Sequence, residues 1–305
     1  ITSAMKMVSA AKLKKAQDAI TAMRPYSDKL TQMLVDLSAS VDFENEFLQS
    51  REINKLLVVC VTSNRGLCGA FNSNVIKECL EIAKNSTYEV SFFCIGKKGG
   101  DILSKKHNVI EINNEIFDDL SFENSSLIAD FLMSKFSDKE FDRIKIVYNK
   151  FKNAATQIVT DEQYLPIENT NSNDAIDSSD YIFEPSQTEI ISELIPKSLK
   201  TQLYKAVRDS YASEHGARMT AMHKATDNAS ELKKDLTLSY NKARQAAITN
   251  EILEIVSGAE ALKANTTGAG NTGSGSEALE ANTTGSYNTA TGSDAGDVIT
   301  TGSDN

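Results

Sequence analysis

Apolar positions recur at helical spacing at both ends of this chain and in compact runs in its middle. Toward the C-terminal side, Leu199, Leu203, Val207, Tyr211, Met222, Ala225, Ala229, Leu232, Leu236, Tyr240, Ala243 and Ala247 follow one stripe. No proline lies beyond Pro196, and only Gly216 precedes Gly258. This predicts one uninterrupted helix over 190–262. At the other end Met5, Val8, Ala16, Ala19, Met23, Tyr26, Leu30, Leu34, Leu37 and Val41 step by three or four and predict a helix over 1–42, with Pro25 inside it. Each stripe is narrow and rich in alanine, which suits two backbones lying close together in an antiparallel coiled coil. The alternative is two unrelated helices on a common core.

Between them the period changes. Lys55–Ser63 is a compact β-branched run and reads as a buried strand. It is followed by the turn Asn64-Arg65-Gly66-Leu67-Cys68-Gly69-Ala70-Phe71-Asn72 and an amphipathic helix through Val75, Ile76, Leu80 and Ile82. A second strand, Tyr88–Ile95, completes a βαβ unit with parallel pairing. Asp101–Lys106 and Leu120–Phe136 are expected to be helical. Arg143–Tyr148 is expected to be a strand, and Thr156–Thr160 a further edge strand. The fold class is therefore α/β: a long antiparallel two-helix coiled coil with a small α/β domain inserted over 52–165. A polar loop over 166–189 leads into the second helix.

Beyond Leu262 the composition shifts. Glu260-Ala261-Leu262-Lys263-Ala264-Asn265-Thr266-Thr267-Gly268 recurs as Glu277-Ala278-Leu279-Glu280-Ala281-Asn282-Thr283-Thr284-Gly285, a period of 17 residues. Residues 264–305 hold five acids, no Lys or Arg and few large apolar groups, so the tail 263–305 is expected to be too polar to order itself. It resembles the Gly/Ser/Asn/Thr repeats of trimeric adhesins and phage tail fibres. The overlap of helix end and repeat start reads as a joint between two unrelated coding sequences, a hypothesis that one continuous frame in source DNA would sink.

The formal net charge of -10 argues against a general nucleic-acid binder. Yet residues 1–35 hold six basic against two acidic side chains, and residues 197–250 ten against five. The two helices are basic within an acidic protein, which suits a shaft working against acidic surfaces; the plainer reading is a solvated lysine-rich face. No apolar run is long enough for a membrane span. Cys60, Cys68, Cys79 and Cys94 show no metal-binding spacing, and nothing in the sequence places two thiols together, so buried free thiols in a reducing cytoplasm are expected.

Candidate chemistry is sparse. The Gly66-Leu67-Cys68-Gly69 turn occupies the place of a phosphate loop but is neither a three-glycine fingerprint nor a Walker loop. Cys68 as a nucleophile lacks an obvious base. His215, Met219 and His223 share a helix face at ligand-capable spacing, but no third strong ligand is near, and packing is the simpler role. No cofactor, metal site or catalytic set is expected.

The residues Ile1-Thr2-Ser3-Ala4-Met5-Lys6-Met7-Val8-Ser9-Ala10-Ala11-Lys12-Leu13-Lys14-Lys15-Ala16-Gln17, the Arg65–Asn72 turn and the stretch from Glu214 to Leu262 closely resemble the gamma subunit of F-type ATP synthases. The resemblance implies an antiparallel coiled coil with an inserted Rossmann-like α/β domain, acting as a non-catalytic central-stalk rotor that couples proton flow through the c-subunit ring to sequential changes at the catalytic beta subunits. It implies alpha, beta, epsilon and c subunits as partners, and a peripheral place on the cytoplasmic face of a bacterial inner membrane. By motif, Arg244, Gln245, Met5 and Lys6 correspond to beta-subunit contacts, and Arg218, Thr249 and Glu251 to coupling positions. Two departures are noted: the family's first turns before Ile1 are absent, and the family's second helix normally ends near Leu262. Two other readings are an α/β nucleotide-binding enzyme and a coiled-coil scaffold unrelated to energy conversion.

Overall fold

The computed structural model describes residues 1–39, 46–167, 186–260, 263–275 and 277–304. The chain divides into two compact units, Ile1–Asp227 and Asn228–Asn305.

In the first unit, helix α1 (Thr2–Ala39) is followed by β1 (Lys55–Val61), α2 (Phe71–Asn85), β2 (Glu89–Ile95), α3 (Lys97–Leu103) and β3 (Asn108–Asn113). After a 3-10 turn (Glu115–Phe117) come α4 (Phe122–Ser137), β4 (Arg143–Phe151) and β5 (Gln157–Leu165), then α5 (Gln187–Glu260), whose first part belongs to this unit. The sheet order is β3-β2-β1-β4-β5. β1, β2, β3 and β4 pair in parallel, while β5 returns antiparallel along β4 at the edge.

The pleat of β1 explains the layering. Leu57, Val59 and Val61 enter one core with Ile128, Leu132 and Phe136 of α4 and Ile191, Ile195, Leu199, Leu203 and Val207 of α5. Leu56, Val58 and Cys60 enter the other with Val75, Ile76 and Cys79 of α2 and Leu103 of α3. Both faces of the central strands are dry, which is why they read as unbroken apolar runs rather than as an alternation.

α1 lies antiparallel against α5. Leu13, Ala16 and Ile20 pack with Ala212, Phe151, Tyr211 and Met219, and Thr226 Oγ1 meets Thr2 Oγ1 at 2.9 Å. Ala16 and Ala212 leave room there for Leu13, Ile20, Tyr211 and Met219. Gly216 has a related reason: a Cβ there would stand 3.0 Å from the Ala154 carbonyl oxygen in the β4–β5 connection, an oxygen that also accepts from Thr220 Oγ1 at 3.2 Å.

Several sequence expectations differ from the structure. The short helix expected over Asp101–Lys106 is α3, Lys97–Leu103, displaced toward Gly96, whose backbone lets the chain turn directly from β2 into the helix. Strand β3 was not anticipated. Its burial pattern is mostly exposed because it sits at the sheet edge, so apolar content gives a weak signal there. The thiols are also not dispersed. Cys60 and Cys94 are register partners on β1 and β2, and Cys60 hydrogen-bonds Cys79 of α2 as well as Cys94. The bond to Cys79 together with burial pushes the Cys60 thiol well up. The loop expected over 166–189 lies largely outside the described residues, and α5 begins within it, at Gln187.

In the second unit the last part of α5 is followed by a repeating coil. β6 (Thr272–Ser274) pairs in parallel with β7 (Thr289–Thr291), each residue with the one 17 further on. Left-handed backbone recurs with the same offset, at Gly270, Tyr287 and Asp304, and at Leu279 and Gly296. The expectation that 263–305 is too polar to order itself differs from this arrangement, because little of the order comes from apolar burial. Among the described residues of this coil, only Ala278, Leu279 and Ala290, with Ala295 and Ile299 beside them, form an apolar cluster. The rest is hydrogen bonding along the repeat axis.

At Gly96 (φ 97°) a Cβ would fall 2.2 Å from the Thr62 carbonyl oxygen. Gly96→Ala is therefore expected to lower unfolding stability by about 2–4 kcal/mol, from backbone strain plus displacement of β1 from β2, read as a fall in urea midpoint.

Candidate functional site

The turn after β1 is held from within. Asn72 at the start of α2 reaches back: its Oδ1 accepts from Ser63 N at 2.9 Å, and its Nδ2 donates to Ser63 Oγ at 2.8 Å and Cys68 Sγ at 3.2 Å. Ser63 Oγ donates to the Arg65 carbonyl at 2.7 Å. Leu67 and Gly69 take left-handed backbone, φ 62° and 59°, so the chain reverses within four residues and Leu67 projects into solvent. Cys68 points inward and packs with Phe71 and Ala217 of α5; burial raises its thiol pKa. A buried thiol with a raised pKa is a poor nucleophile, and the turn bonds the shaft instead.

Arg218 makes that bond. Its guanidinium donates to the Arg65 carbonyl at 3.0 Å and to the Gly66 carbonyl at 3.3 Å, and pairs with Glu214 Oε1 at 2.6 Å. Its Nη1 stands 3.3 Å from His215 Nδ1. An arginine can only donate, so Nδ1 accepts and the imidazole proton resides on Nε2. Desolvation first, and then the charges of Arg218 and Lys12, lower the His215 pKa to about 4, so the ring is neutral. Glu214, Arg218 and His215 are each under a tenth exposed. Burial raises the Glu214 pKa, and Arg218 opposes that rise. The planar fork of arginine serves two carbonyls and a carboxylate at once, which an ammonium group would not match.

Beside this latch lies a cleft of about 500 Å³ lined by Met5, Val8, Lys12, Arg65, Phe117 and Tyr211, among others. The structure therefore brings together Met5 of the first helix, Gly66 and Leu67 of the turn, and Arg218 of the second helix, which are far apart in sequence. Lys6 is half-buried on α1 nearby in sequence but does not line the cleft. Arg244, Gln245, Thr249 and Glu251 lie in the second unit, all exposed on α5. Gln245 and Thr249 are four apart and share a helix face. His223 does not join His215: it is exposed and faces Asp227 Oδ2 at 3.4 Å. Among the described residues no group of three His, Cys, Asp or Glu side chains is placed to hold a metal.

The roles of Glu214 and His215 in this latch were not read from the sequence, although both lie in a stretch singled out there; an acid four residues before an arginine is the available signal. Asp209 was missed as well. It is 1% exposed in the α1–α5 seam, and neither carboxylate oxygen accepts a hydrogen bond among the described residues; Arg24 Nη2 is 4.0 Å away. Burial raises its pKa to about 6, against the opposing pull of Arg24, Lys205 and Lys150. An acid among Leu203, Ala206, Val207 and Ser210 could have flagged it.

The family model described as "ATP synthase" matches residues 1–262. The ATP synthase gamma chain of Flavobacterium psychrophilum is 65% identical over 266 residues, covering 86% of this chain and 93% of that protein. The chain belongs to the ATP synthase gamma family. The gamma chain of Flavobacterium johnsoniae is 64% identical over 269 residues, with the same coverage. Among solved structures, the central stalk and c-ring of Tetrahymena thermophila mitochondrial ATP synthase matches with a TM-score of 0.57 at 22% identity, over 74% of this chain and 99% of that one. The rotor of the Euglena gracilis mitochondrial enzyme matches with a TM-score of 0.51 at 18% identity, over 81% and 99%. At these identities the structures speak to the gamma fold alone. The family match ends at residue 262, within the first residues of the 17-residue repeat that starts at Glu260.

Two outcomes follow from the buried charges. Arg218→Ala strands Glu214 and two carbonyls and is expected to cost about 3–5 kcal/mol in urea denaturation, with Arg218→Lys recovering only part. For Asp209 the folded pKa lies above the ordinary 3.8, so the folded state holds the proton more tightly. Its contribution favours folding at low pH and is lost as pH rises through about 6, leaving a penalty of roughly 3 kcal/mol at pH 8. Asp209→Asn is expected to raise the urea midpoint at pH 8 and to leave it nearly unchanged at pH 4.

Proposed function

We propose that this chain is the central-stalk rotor subunit of a bacterial F-type ATP synthase, with Met5, Lys6, Arg244 and Gln245 meeting the beta subunits and Arg218, Thr249 and Glu251 transmitting the coupling. The observation that carries this reading is the match of residues 1–262 to the gamma family on a fold in which α1 lies antiparallel on α5. The chain is non-catalytic. ATP is made or hydrolysed on the beta subunits, and the shaft changes their relative stability as it turns, because each beta subunit meets a different face of it.

The residues support a division of labour. Arg218 ties the turn of the inserted sheet to the shaft through two carbonyl bonds, so torque applied to the sheet reaches α5 without slack. Met5 gives a half-buried, unbranched surface beside that latch, suited to sliding contact. Arg244 and Gln245 are adjacent and exposed, offering a guanidinium and an amide to carboxylates and backbone groups on a beta loop. The remaining partners are the alpha subunits, the epsilon subunit and the c-subunit ring, which also delivers the chain to the cytoplasmic face of the membrane. No helix among the described residues is long and apolar enough to cross a membrane itself.

Reconstitution of the full chain with bacterial alpha and beta subunits is expected to give a complex with ATPase activity. In that complex Arg244→Ala and Gln245→Ala should each lower turnover about tenfold, the equivalent of one charge-assisted hydrogen bond. Failure of the unaltered chain to assemble overturns the rotor reading; assembly with undiminished turnover in both variants overturns the assignment of these two residues.

A further inference from the structure

Arg218 holds the turn after β1 at one height on α5. Bonds from a single side chain fix a point better than they fix an angle. A second attachment begins five residues earlier on the same helix. Ser213 Oγ donates to the Asn149 carbonyl of β4 at 3.0 Å, and Asn149 Nδ2 donates to the carbonyl of Phe71, the first residue of α2, at 3.1 Å. Ser213 is fully buried and Asn149 is 1% exposed, so neither bond competes with water.

The two attachments close a ring. From Ser213 it runs through Asn149 to Phe71, across the bonds between Asn72 and Ser63 and from Ser63 to the Arg65 carbonyl, and through Arg218 back to α5. Ser213 and Arg218 are about 7.5 Å apart along the helix axis and roughly 140° apart around it. Bonds at two heights and on two faces fix the orientation of the turn as well as its position.

The residue type at Asn149 points the same way. Val147, two residues before it on β4, packs in the apolar layer with Val75, Ile76 and Cys79 of α2. The pleat directs the Asn149 side chain to that same face, where an aliphatic residue would continue the layer without desolvating an amide. The Phe71 carbonyl is what an amide meets there and an aliphatic group would leave unmet.

We infer that Ser213 and Asn149 are positioning residues for rotary coupling: they hold the Arg65 and Gly66 carbonyls where Arg218 bonds both, and so set how the inserted sheet is aligned on α5. The coupling half of this inference rests on the rotor reading, whereas the ring is testable on the chain alone.

His215 reports on the ring, because its Nδ1 accepts from Arg218. The chain has three histidines, so a full chain labelled with ¹⁵N-histidine gives a spectrum that His107→Gln and His223→Gln assign. Ser213→Ala and Asn149→Leu are expected to move the His215 Nδ1 resonance toward that of an imidazole nitrogen with no hydrogen bond, with circular dichroism unchanged. Ser213→Ala removes one oxygen and carries the test if the larger Asn149→Leu change unfolds the chain. Ser210→Ala is the control: its hydroxyl, 1% exposed on the same helix, has no partner among the described residues, and its loss is expected to move nothing. In the membrane-bound ATP synthase containing this chain, proton pumping per ATP hydrolysed is expected to fall about two- to tenfold in Ser213→Ala, the scale of one hydrogen bond. Added to Arg218→Lys, the same change should cost less than it does alone, because the ring is already open. A His215 resonance that stays in place in the folded variants, or moves as far in Ser210→Ala, overturns the ring. A resonance that moves while pumping per ATP is undiminished, or strictly additive effects of Ser213→Ala and Arg218→Lys, overturns the coupling role. Failure of the rotor reading looks different, since the unaltered chain then does not assemble although the His215 shifts persist, and it removes the coupling role alone.

Discussion

Helix α5 has to satisfy different partners along one continuous backbone. Over Ile191–Val207 its apolar side chains close one face of the sheet, burying against β1 and α4. Over Asp209–Thr226 it faces α1 and the turn after β1. Farther on, Leu232, Leu236, Tyr240 and Ile248 stand exposed. A helix cannot change its period to suit each partner, so the sequence adjusts the size and polarity of the side chains instead. Bulky aliphatics serve the sheet, while Ala212, Gly216 and Ala217 serve the close contacts. Polar groups are admitted where a second element can bond them.

The middle segment shows the cost and use of that admission. Arg218 and Glu214 are buried at the junction of shaft and turn, where a pair of apolar residues would pack without any desolvation penalty. What the charged pair adds is direction. The guanidinium fixes the Arg65 and Gly66 carbonyls in one geometry, and the neutral His215 supports it from the same helix. Apolar contact can slide along a helix, whereas these bonds hold the turn at one position on α5. Asp209 is the counterexample in the same seam: buried, loosely faced by Arg24, and destabilising at neutral pH.

The repeat beyond the family match obeys a different logic. Its order rests on bonds between turns 17 residues apart, with a small apolar cluster in place of a core.

The sequence by itself determined the elements that rest on local period. The helical stripes at both ends, the buried runs at Lys55–Val61 and Glu89–Ile95, the polarity of the tail and its 17-residue period are all linear patterns, and the Ile1–Gln17 and Arg65–Asn72 motifs carried the family. Only the tertiary structure decided what meets across distance. It set Arg218 on the turn carbonyls, gathered Cys60, Cys79 and Cys94 in one core layer, and placed Asp209 in the seam. It also showed that β3 pairs at an exposed edge and that the polar tail is ordered. The physical reason is common to these cases. Periodicity reports which side of an element is dry, but burial of a charge, contact of two thiols and the bonding of one repeat to the next depend on a second backbone whose position no local pattern encodes.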